Sequence, residues 1–487
     1  MKFLQASLIV FLSFFVIGCT SNLSPQPTQT ETRPTPTAKP TSTSTPSPTA
    51  TIEPSILESY SHVFAYADGE KIIFLDKETR QIAEITSGTG WVSDFKVSPD
   101  NDWIIYSSRN GTNIVLDIKR IGHFKSTSFA IDSQTIIYFD WISSTEFVVL
   151  TDKAYYLGSL DGSKKQIGKD INLALSSSSM FNRFSVIKSP TNNNFLLLRN
   201  TQQGDTGEQG CNVYFLMHDN GTLQELFKEE NSYCGFDESL SWSPDGNFAG
   251  INYEVSSGGA GWHSTYILDL NSGELIYANE DDALYPFREI SWSPDGAYFS
   301  YIKKSFTIVI QTNDLISGEV VLEHRTAAIP LQKLFWSPNG RYLMYGRAPN
   351  YMYIFDTPIK ESAIVPLYDI PRINDYADYW WSSNSDGIFI INGDFNKLGG
   401  VYWYSMDTKQ IEKVGDLVKY SPKPYLPNII VKKSQNTSFS SIFINTYNPQ
   451  DETRTYNLYL LDEENLKISS AIMLNNPVYP PPFVWVK

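Results

Sequence analysis

Three short phrases place an acidic or amide residue in the same surroundings. Ser-Pro-Asp-Gly occurs at 243–246 and 293–296, and Ser-Pro-Asn-Gly at 337–340, each directly after a tryptophan. Repeated carboxylates could serve acid–base catalysis or bind Ca²⁺. A retaining glycosidase pair needs a separation of about 5 Å, however, and a calcium loop needs several oxygens in one short span. Asp245 and Asp295 belong to separate copies of one turn, so we interpret the phrase as architecture.

The residue types in the phrase suit a tight turn that follows a strand. Proline presets φ, Asp or Asn bonds back to nearby amides, and glycine accepts positive φ. We expect the preceding tryptophan on an inner strand between neighbouring units, with an indole N–H that needs a partner. The residues given this structural role are Trp242, Pro244, Asp245, Gly246, Trp292, Pro294, Asp295, Gly296, Trp336, Pro338, Asn339 and Gly340.

Other patterns associated with catalysis or cofactors are missing from the sequence. It contains no G-x-S-x-G, no P-loop, no G-x-G-x-x-G after a strand and no H-E-x-x-H, and its five histidines show no ligand spacing. We therefore predict no catalytic residue, no metal and no cofactor. Cys211 and Cys234 are predicted to form a disulfide, because a lone pair of thiols in an exported protein is more often a disulfide than a metal site.

Two stretches between predicted strands could bind a ligand. Residues 255–266 form a Gly-rich stretch that contains Trp262 and His263, and residues 200–214 are long and polar. Long loops on one face of a repeat protein are frequent binding elements. The alternative for both stretches is a flexible hairpin tip. In the aromatic segment 376–381, Tyr379 and Trp380 are the residues that could face outward.

The elements that must position these residues are short strands. From about residue 61 onward, segments of four to eight residues rich in Val, Ile, Leu, Phe and Tyr alternate with Gly, Asp, Asn, Ser and Pro. The Trp of the phrase and its weaker equivalents recur every 44 to 54 residues, at Val97, Trp141, Lys188, Trp242, Trp292, Trp336 and Trp381. A period near 45 residues with four strands is typical of β-propeller blades.

The sequence therefore predicts an all-β propeller of four-stranded blades. We favour eight blades, with seven or nine as alternatives. Three strand-like segments before residue 90 lack an inner strand, which residues 483–486 can supply. Pairing of the N- and C-terminal strands would then close the ring and remove its free edges.

The phrase at 242–246, 292–296 and 336–340 resembles the PD40 repeat, a WD40-like repeat of TolB-like β-propellers. The same repeat occurs in the propeller domains of prolyl oligopeptidases and dipeptidyl peptidases. The resemblance extends over about residues 60–487 and is specific in three units. It implies a ring of antiparallel blades around a channel that often binds a protein or peptide. We expect the peptidase part of the resemblance to be missing, because the sequence has no G-x-S-x-G and leaves no room for a hydrolase domain after the propeller.

The N-terminus has the features of a bacterial lipoprotein. A charged start and an apolar run lead to Val-Ile-Gly-Cys at 16–19, which resembles a lipobox. The resemblance implies cleavage before Cys19 and a lipid on its sulfur, so that residues 1–18 are a signal peptide. An ordinary cleaved signal or an uncleaved anchor is the alternative. Residues 19–57 are rich in Pro, Thr and Ser and predict a disordered stalk, and residues 58–487 form the propeller domain.

Charge narrows the choice of partners. The 487 residues carry a formal net charge of −15, which argues against nucleic acid as a partner. We expect a lipoprotein of the bacterial envelope, held in the lipid bilayer through Cys19 and facing outward from the cytoplasmic membrane, or from the outer membrane if there is one. Its propeller is expected to bind an envelope or extracellular protein, peptide or glycan without catalysis. The alternative is a polysaccharide lyase or hydrolase with its site in the channel.

Overall fold

A computed structural model describes the chain within the compact unit Pro54–Lys487. The described residues are 56–88, 90–110, 113–123, 126–129, 131, 136–151, 154–167, 183–200, 212–228, 239–257, 260–281, 290–303, 307–312, 319–325, 333–347, 351–367, 370, 376–394, 397–417, 428–433, 438–448, 453–474 and 482–486.

The described residues form nine antiparallel sheets, which we number as blades along the chain. Blade 1 contains β1 (Val63–Asp68), β2 (Lys71–Asp76) and β3 (Gln81–Thr86), preceded by a 3-10 helix at Ile56–Ser59. Blade 2 contains β4 (Trp91–Val97), β5 (Trp103–Asn110), β6 (Asn113–Arg120) and β7 (Ser126–Phe129). Blade 3 contains β8 (Ile136–Trp141), β9 (Glu146–Thr151), β10 (Tyr155–Ser159) and β11 (Lys164–Ile167).

The next three blades repeat the arrangement. Blade 4 contains β12 (Arg183–Lys188), β13 (Phe195–Asn200), β14 (Asn212–Met217) and β15 (Leu223–Lys228). Blade 5 contains β16 (Ser239–Trp242), β17 (Phe248–Ser257), β18 (Ala260–Asp269) and β19 (Leu275–Asp281). Blade 6 contains β20 (Ser291–Trp292), β21 (Tyr298–Lys303), β22 (Thr307–Thr312) and β23 (Val320–Arg325).

Three further blades complete the ring. Blade 7 contains β24 (Lys333–Trp336), β25 (Tyr342–Arg347), β26 (Tyr351–Asp356) and β27 (Glu361–Val365), and blade 8 contains β28 (Tyr376–Trp381), β29 (Gly387–Asp394), β30 (Lys397–Ser405) and β31 (Ile411–Asp416). Blade 9 contains β32 (Asn428–Lys433), β33 (Phe439–Asn448), β34 (Thr453–Asp462) and β35 (Lys467–Ile468), and β36 (Ile472–Leu474) also pairs with β34. The last strand, β37 (Phe483–Trp485), returns to blade 1.

The ring closes as the sequence predicts. β37 pairs antiparallel with β1, with Phe64 opposite Trp485 and Tyr66 opposite Phe483. Blade 1 therefore takes its innermost strand from the C-terminus and its other three strands from the N-terminal part of the domain. The count of nine blades lies within the expected range of seven to nine and is one more than the favoured eight, because residues 428–474 form a complete blade.

The core lies between adjacent blades. Each blade is a radial sheet with two faces, so alternate side chains of its strands pack against the blade before and the blade after. Ile105 and Leu116 of blade 2 form one cluster with Trp141 and Phe147 of blade 3. Equivalent clusters join the other neighbours, so the core is distributed around the ring. Within the described residues, no helix has the length and apolar character that crossing a membrane requires.

Candidate functional site

The repeated tryptophans tie the innermost strands of neighbouring blades together. All seven spaced residues, from Val97 to Trp381, lie at the last position of an innermost strand, which we call the marker position. Lys433 and Trp485 hold it in blades 9 and 1. At four markers the indole Nε1 donates to the carbonyl that precedes the marker of the previous blade: Trp141 to Lys96 at 3.0 Å, Trp242 to Ile187 at 3.2 Å, Trp336 to Ser291 at 3.1 Å and Trp381 to Phe335 at 3.0 Å. These bonds join adjacent blades at their innermost strands.

The carboxylates of the phrase are engaged within their own turns. Asp245 Oδ1 accepts from Ser243 Oγ at 2.5 Å and from the Asn247 amide at 3.1 Å. Burial raises the pKa of Asp245, but these hydrogen bonds outweigh burial and hold the pKa below its ordinary value. Asp295 makes the same two contacts, with Ser293 Oγ at 2.6 Å and the Ala297 amide at 3.0 Å.

The third copy of the turn makes the same contacts with an amide. Asn339 Oδ1 accepts from Ser337 Oγ at 2.7 Å and from the Arg341 amide at 3.0 Å. An amide oxygen therefore replaces the carboxylate without loss of either contact. None of the three side chains is left free to act on a ligand through these oxygens.

The turns of neighbouring blades pack against each other on one rim. The glycines Gly246, Gly296 and Gly340 have φ of 74°, 71° and 72°. A Cβ built on Gly246 would lie 2.4 Å from Thr191 Oγ1, whereas one on Gly296 would come no closer than 3.9 Å to any atom outside its immediate neighbours. Pro244, Pro294 and Pro338 complete these turns. Close packing between turns supports an architectural role for the phrase.

Residues 255–257 and 260–266, predicted as part of a binding loop or a hairpin tip, are the paired ends of a β-hairpin. β17 and β18 pair over ten residues, with Trp262 opposite Val255 and His263 opposite Glu254, and only residues 258 and 259 lie between the strands. Trp262 and His263 are therefore strand residues. Pairing between the two strands of the hairpin overrides the preference of glycine and serine for turns.

Several other predictions fall outside the described residues. These are Cys19, Cys211, Cys234 and residues 201–211 of the second predicted loop. Tyr379 and Trp380, which could have faced outward, are buried with 5% and 6% exposure. Tyr379 Oη donates to the Gly346 carbonyl at 3.1 Å, so the aromatic segment belongs to the core.

A cavity of about 600 Å³ lies at the inner wall where the ring closes. Four consecutive innermost strands, β32, β37, β4 and β8, contribute to its lining, together with the turn after β4. Its charged residues are Asp94, Lys96, Asp140, Lys432 and Lys433. Sequence reasoning missed this site because its residues come from four separated parts of the chain. The only local signal was the assignment of residues 483–486 to the innermost strand.

Most charges in this cavity have partners in the wall. The Lys96 ammonium lies 3.4 Å from Asp94 Oδ2, and Asp140 Oδ2 accepts from Tyr138 Oη at 2.9 Å. Lys432 Nζ donates to the Phe483 carbonyl at 3.0 Å and lies 4.4 Å from the centre of its ring. Burial and the positive charge of Lys96 lower the pKa of Lys432. The wall thus presents fixed charges of both signs.

Lys433 also lines a second cavity, of about 390 Å³, between β24, β28 and β32. The other residues around this cavity include Trp336, Asp378 and Trp381. Burial lowers the pKa of Lys433 to about 8, although the nearby Glu463 raises it. No group of three metal-ligating side chains occurs in the described part of the chain. The geometry suits binding of a polar ligand along the inner wall.

No protein-family model matches the sequence, and no curated protein matches it. Solved structures resemble its fold at low identity. Dipeptidyl peptidase 4 of Porphyromonas gingivalis is 9% identical over 78% of this chain and 62% of its own, with a TM-score of 0.49. A puromycin hydrolase S511A mutant complexed with PGG is 10% identical over 75% of this chain and 57% of its own, with a TM-score of 0.37. Apo AztD from Citrobacter koseri is 12% identical over 87% of this chain and 98% of its own, with a TM-score of 0.38. The class of the chain is that of a nine-bladed β-propeller, which its strand topology defines.

Proposed function

We propose that this protein is a lipid-anchored binding module of the bacterial envelope. Its propeller binds a protein, peptide or glycan at the inner wall of the channel and catalyses no reaction. The observation that carries the proposal is the cavity of about 600 Å³ where β32, β37, β4 and β8 meet. It offers a concave polar surface of the size that a small ligand or a peptide segment needs.

The charges of the wall favour binding over catalysis. Asp94 is paired with Lys96, and Asp140 is hydrogen-bonded to Tyr138. In most glycosidases two carboxyl groups flank the scissile bond and face the substrate, whereas these two face partners in the wall. Fixed charges of both signs are the usual means of orienting a polar ligand.

The anchor and the family are part of the proposal. The Val-Ile-Gly-Cys sequence at 16–19 supports lipidation of Cys19, and the Ser-Pro-Asp-Gly turns support membership of the TolB-like PD40 propellers. We place the domain outside the cytoplasmic membrane, on a stalk formed by residues 19–57. Replacing Cys19 with alanine should release the protein from membranes. Unchanged membrane fractionation of that variant would contradict the anchor.

A channel enzyme is the second candidate, because Asp94 and Asp140 line the same cavity. It would cleave polysaccharide within the ring. An assay for new reducing ends or unsaturated products with envelope polysaccharides tests it. Products that form with the wild type and disappear in both Asp94→Asn and Asp140→Asn would replace the binding proposal with this one.

The binding proposal is tested by capture of envelope proteins and glycans. Lys432→Glu reverses a charge at the cavity, and Lys360→Glu reverses one in the turn before β27, where Lys360 lies 3.4 Å from Glu319. We expect partners bound by the wild type to be lost with Lys432→Glu and retained with Lys360→Glu. Equal capture by both variants would place binding elsewhere.

A further inference from the structure

Blade 9 departs from the repeat at two positions. Six of the nine marker positions hold tryptophan, but blade 9 has Lys433 there. The second position is the residue after the third strand, whose amide donates to the turn between the first two strands. It is buried in each blade where this bond is found: Ile121, Leu270, Thr357, Met406 and, in blade 9, Glu463. Blade 9 thus has two charged residues where other blades have mainly apolar ones.

Glu463 is held in place by neighbours other than Lys433. One carboxylate oxygen accepts from the Ser383 amide of blade 8 at 2.7 Å, and the other accepts from Ser440 Oγ of its own blade. These two hydrogen bonds satisfy the buried carboxylate and fix its position. Ser440 lies opposite Lys433 in the strand ladder, so the carboxylate is held on the same side of the blade as the lysine.

Lys433 differs from the other lysines of the inner wall. Lys96 is paired with Asp94, and Lys432 donates to the Phe483 carbonyl. Lys188, which also replaces a marker tryptophan, donates to the Trp141 carbonyl at 3.1 Å, as an indole would to a neighbouring blade. Among the residues that the structure describes, the Lys433 ammonium has no hydrogen-bond partner. It lines both cavities.

We propose that Lys433 anchors the channel ligand by binding a carboxylate group of an extended peptide that lies along the inner edge of β32. The inference rests on the proposed binding function and specifies its ligand. A lysine ammonium donates up to three hydrogen bonds, and a carboxylate is the peptide group that accepts them most strongly.

A peptide fits this wall because the wall is made of strand edges. Each innermost strand is paired on one side only. In β32, Ile430, Val431 and Lys433 line the smaller cavity, and Lys432 and Lys433 line the larger one. An extended peptide can add main-chain hydrogen bonds to such an edge. Asp94 and Asp140, in the blades that follow blade 1, place negative charge in the same cavity for a cationic group of the ligand.

The test compares two peptides that differ only in the carboxylate. The probes are N-acetyl-trialanine with a free C-terminal carboxylate and the same peptide as a C-terminal amide. Their affinities for the purified full chain are measured by calorimetry. We expect the free acid to bind about ten-fold more tightly than the amide. Lys433→Met should abolish that difference, and the matched variant Lys360→Met should preserve it.

The pH dependence of peptide affinity gives a second measurement, which would not change if Lys433 had only a structural role. Because the pKa of Lys433 is about 8, affinity of the wild type for the acid should fall about ten-fold between about pH 7 and pH 9. Lys433→Arg should keep the preference for the acid and lose the fall, since arginine stays charged in this range. Circular dichroism of each variant shows that the ring is folded.

Three results would overturn the inference: equal binding of the two peptides, a preference for the acid that persists in Lys433→Met, or no binding of the acid up to about 10 mM. The proposed binding function fails separately, when capture of envelope partners is the same in Lys432→Glu and Lys360→Glu.

Discussion

The hydrogen bonds from the marker tryptophans should make a measurable contribution to stability, and two neighbouring blades provide a matched test. Trp336 and Trp292 are both 8% exposed. Each stacks on the first aromatic residue of the second strand in the previous blade, at 6.0 Å from Tyr298 and 6.4 Å from Phe248. The Trp336 Nε1 donates to the Ser291 carbonyl, whereas the Trp292 Nε1 has no partner among the described residues.

Replacement of each tryptophan with phenylalanine removes the same atoms. The loss of packing should destabilise both variants by about 1 to 2 kcal/mol. Trp336→Phe also removes the hydrogen bond to the Ser291 carbonyl, which still accepts from Ser300 Oγ, for a further loss of about 0.5 to 1.5 kcal/mol. Trp292→Phe removes a buried donor without a partner, which offsets part of its packing loss. The expected difference between the variants is therefore about 1 kcal/mol or more.

Urea unfolding followed by circular dichroism measures this difference, because a shift in midpoint at constant slope reports stability. We expect a clearly lower midpoint for Trp336→Phe than for Trp292→Phe. Equal midpoints, or a lower midpoint for Trp292→Phe, would refute the reasoning that the indole bonds join the blades.

Three further predictions concern the glycines of the Ser-Pro-Asp-Gly turns, Lys433, and the predicted disulfide between Cys211 and Cys234. In urea unfolding, Gly246→Ala should be less stable than Gly296→Ala by about 1 kcal/mol or more. Both glycines have positive φ, but only at Gly246 would an added Cβ meet a close neighbour. Equal losses of stability would contradict the packing of the turns. The free energy of unfolding of the wild type should rise by on the order of 1 kcal/mol between about pH 7.5 and 9.5. The reason is that Lys433 has a pKa of about 8 in the folded state and loses its proton there, whereas the unfolded state keeps it. The same rise in Lys433→Met would assign the effect to another group. Non-reducing peptide mass spectrometry should find Cys211 linked to Cys234 in the exported protein, and free thiols at both positions would count against the disulfide.

The features that the sequence predicted correctly depend on local chemistry or on regular spacing. A Ser-Pro-Asp-Gly turn forms from its own residues, so the turns and the ends of the inner strands could be located. The spacing of the markers revealed the repeat even at Val97 and Lys188, where the tryptophan is absent. Closure through β37 followed because blade 1 lacked one strand.

The Gly-rich stretch at 255–266 has the composition of a loop, but the end of β17 and the start of β18 pair within it. The site that was missed depends on contacts between distant segments. The cavity could not be predicted because ring closure is what brings β32, β37 and β4 side by side.

Photo-crosslinking from inside and outside the channel tests the central claim most directly. Pro99 is exposed and lines the cavity, whereas Ile359 is 58% exposed in the turn between β26 and β27. A benzophenone amino acid is placed at each position in turn, and adducts formed with envelope material are identified by mass spectrometry. We predict a discrete adduct from position 99 that is absent from position 359 and that Lys432→Glu abolishes. The same adducts from both positions, or none from position 99, would contradict binding at the inner wall.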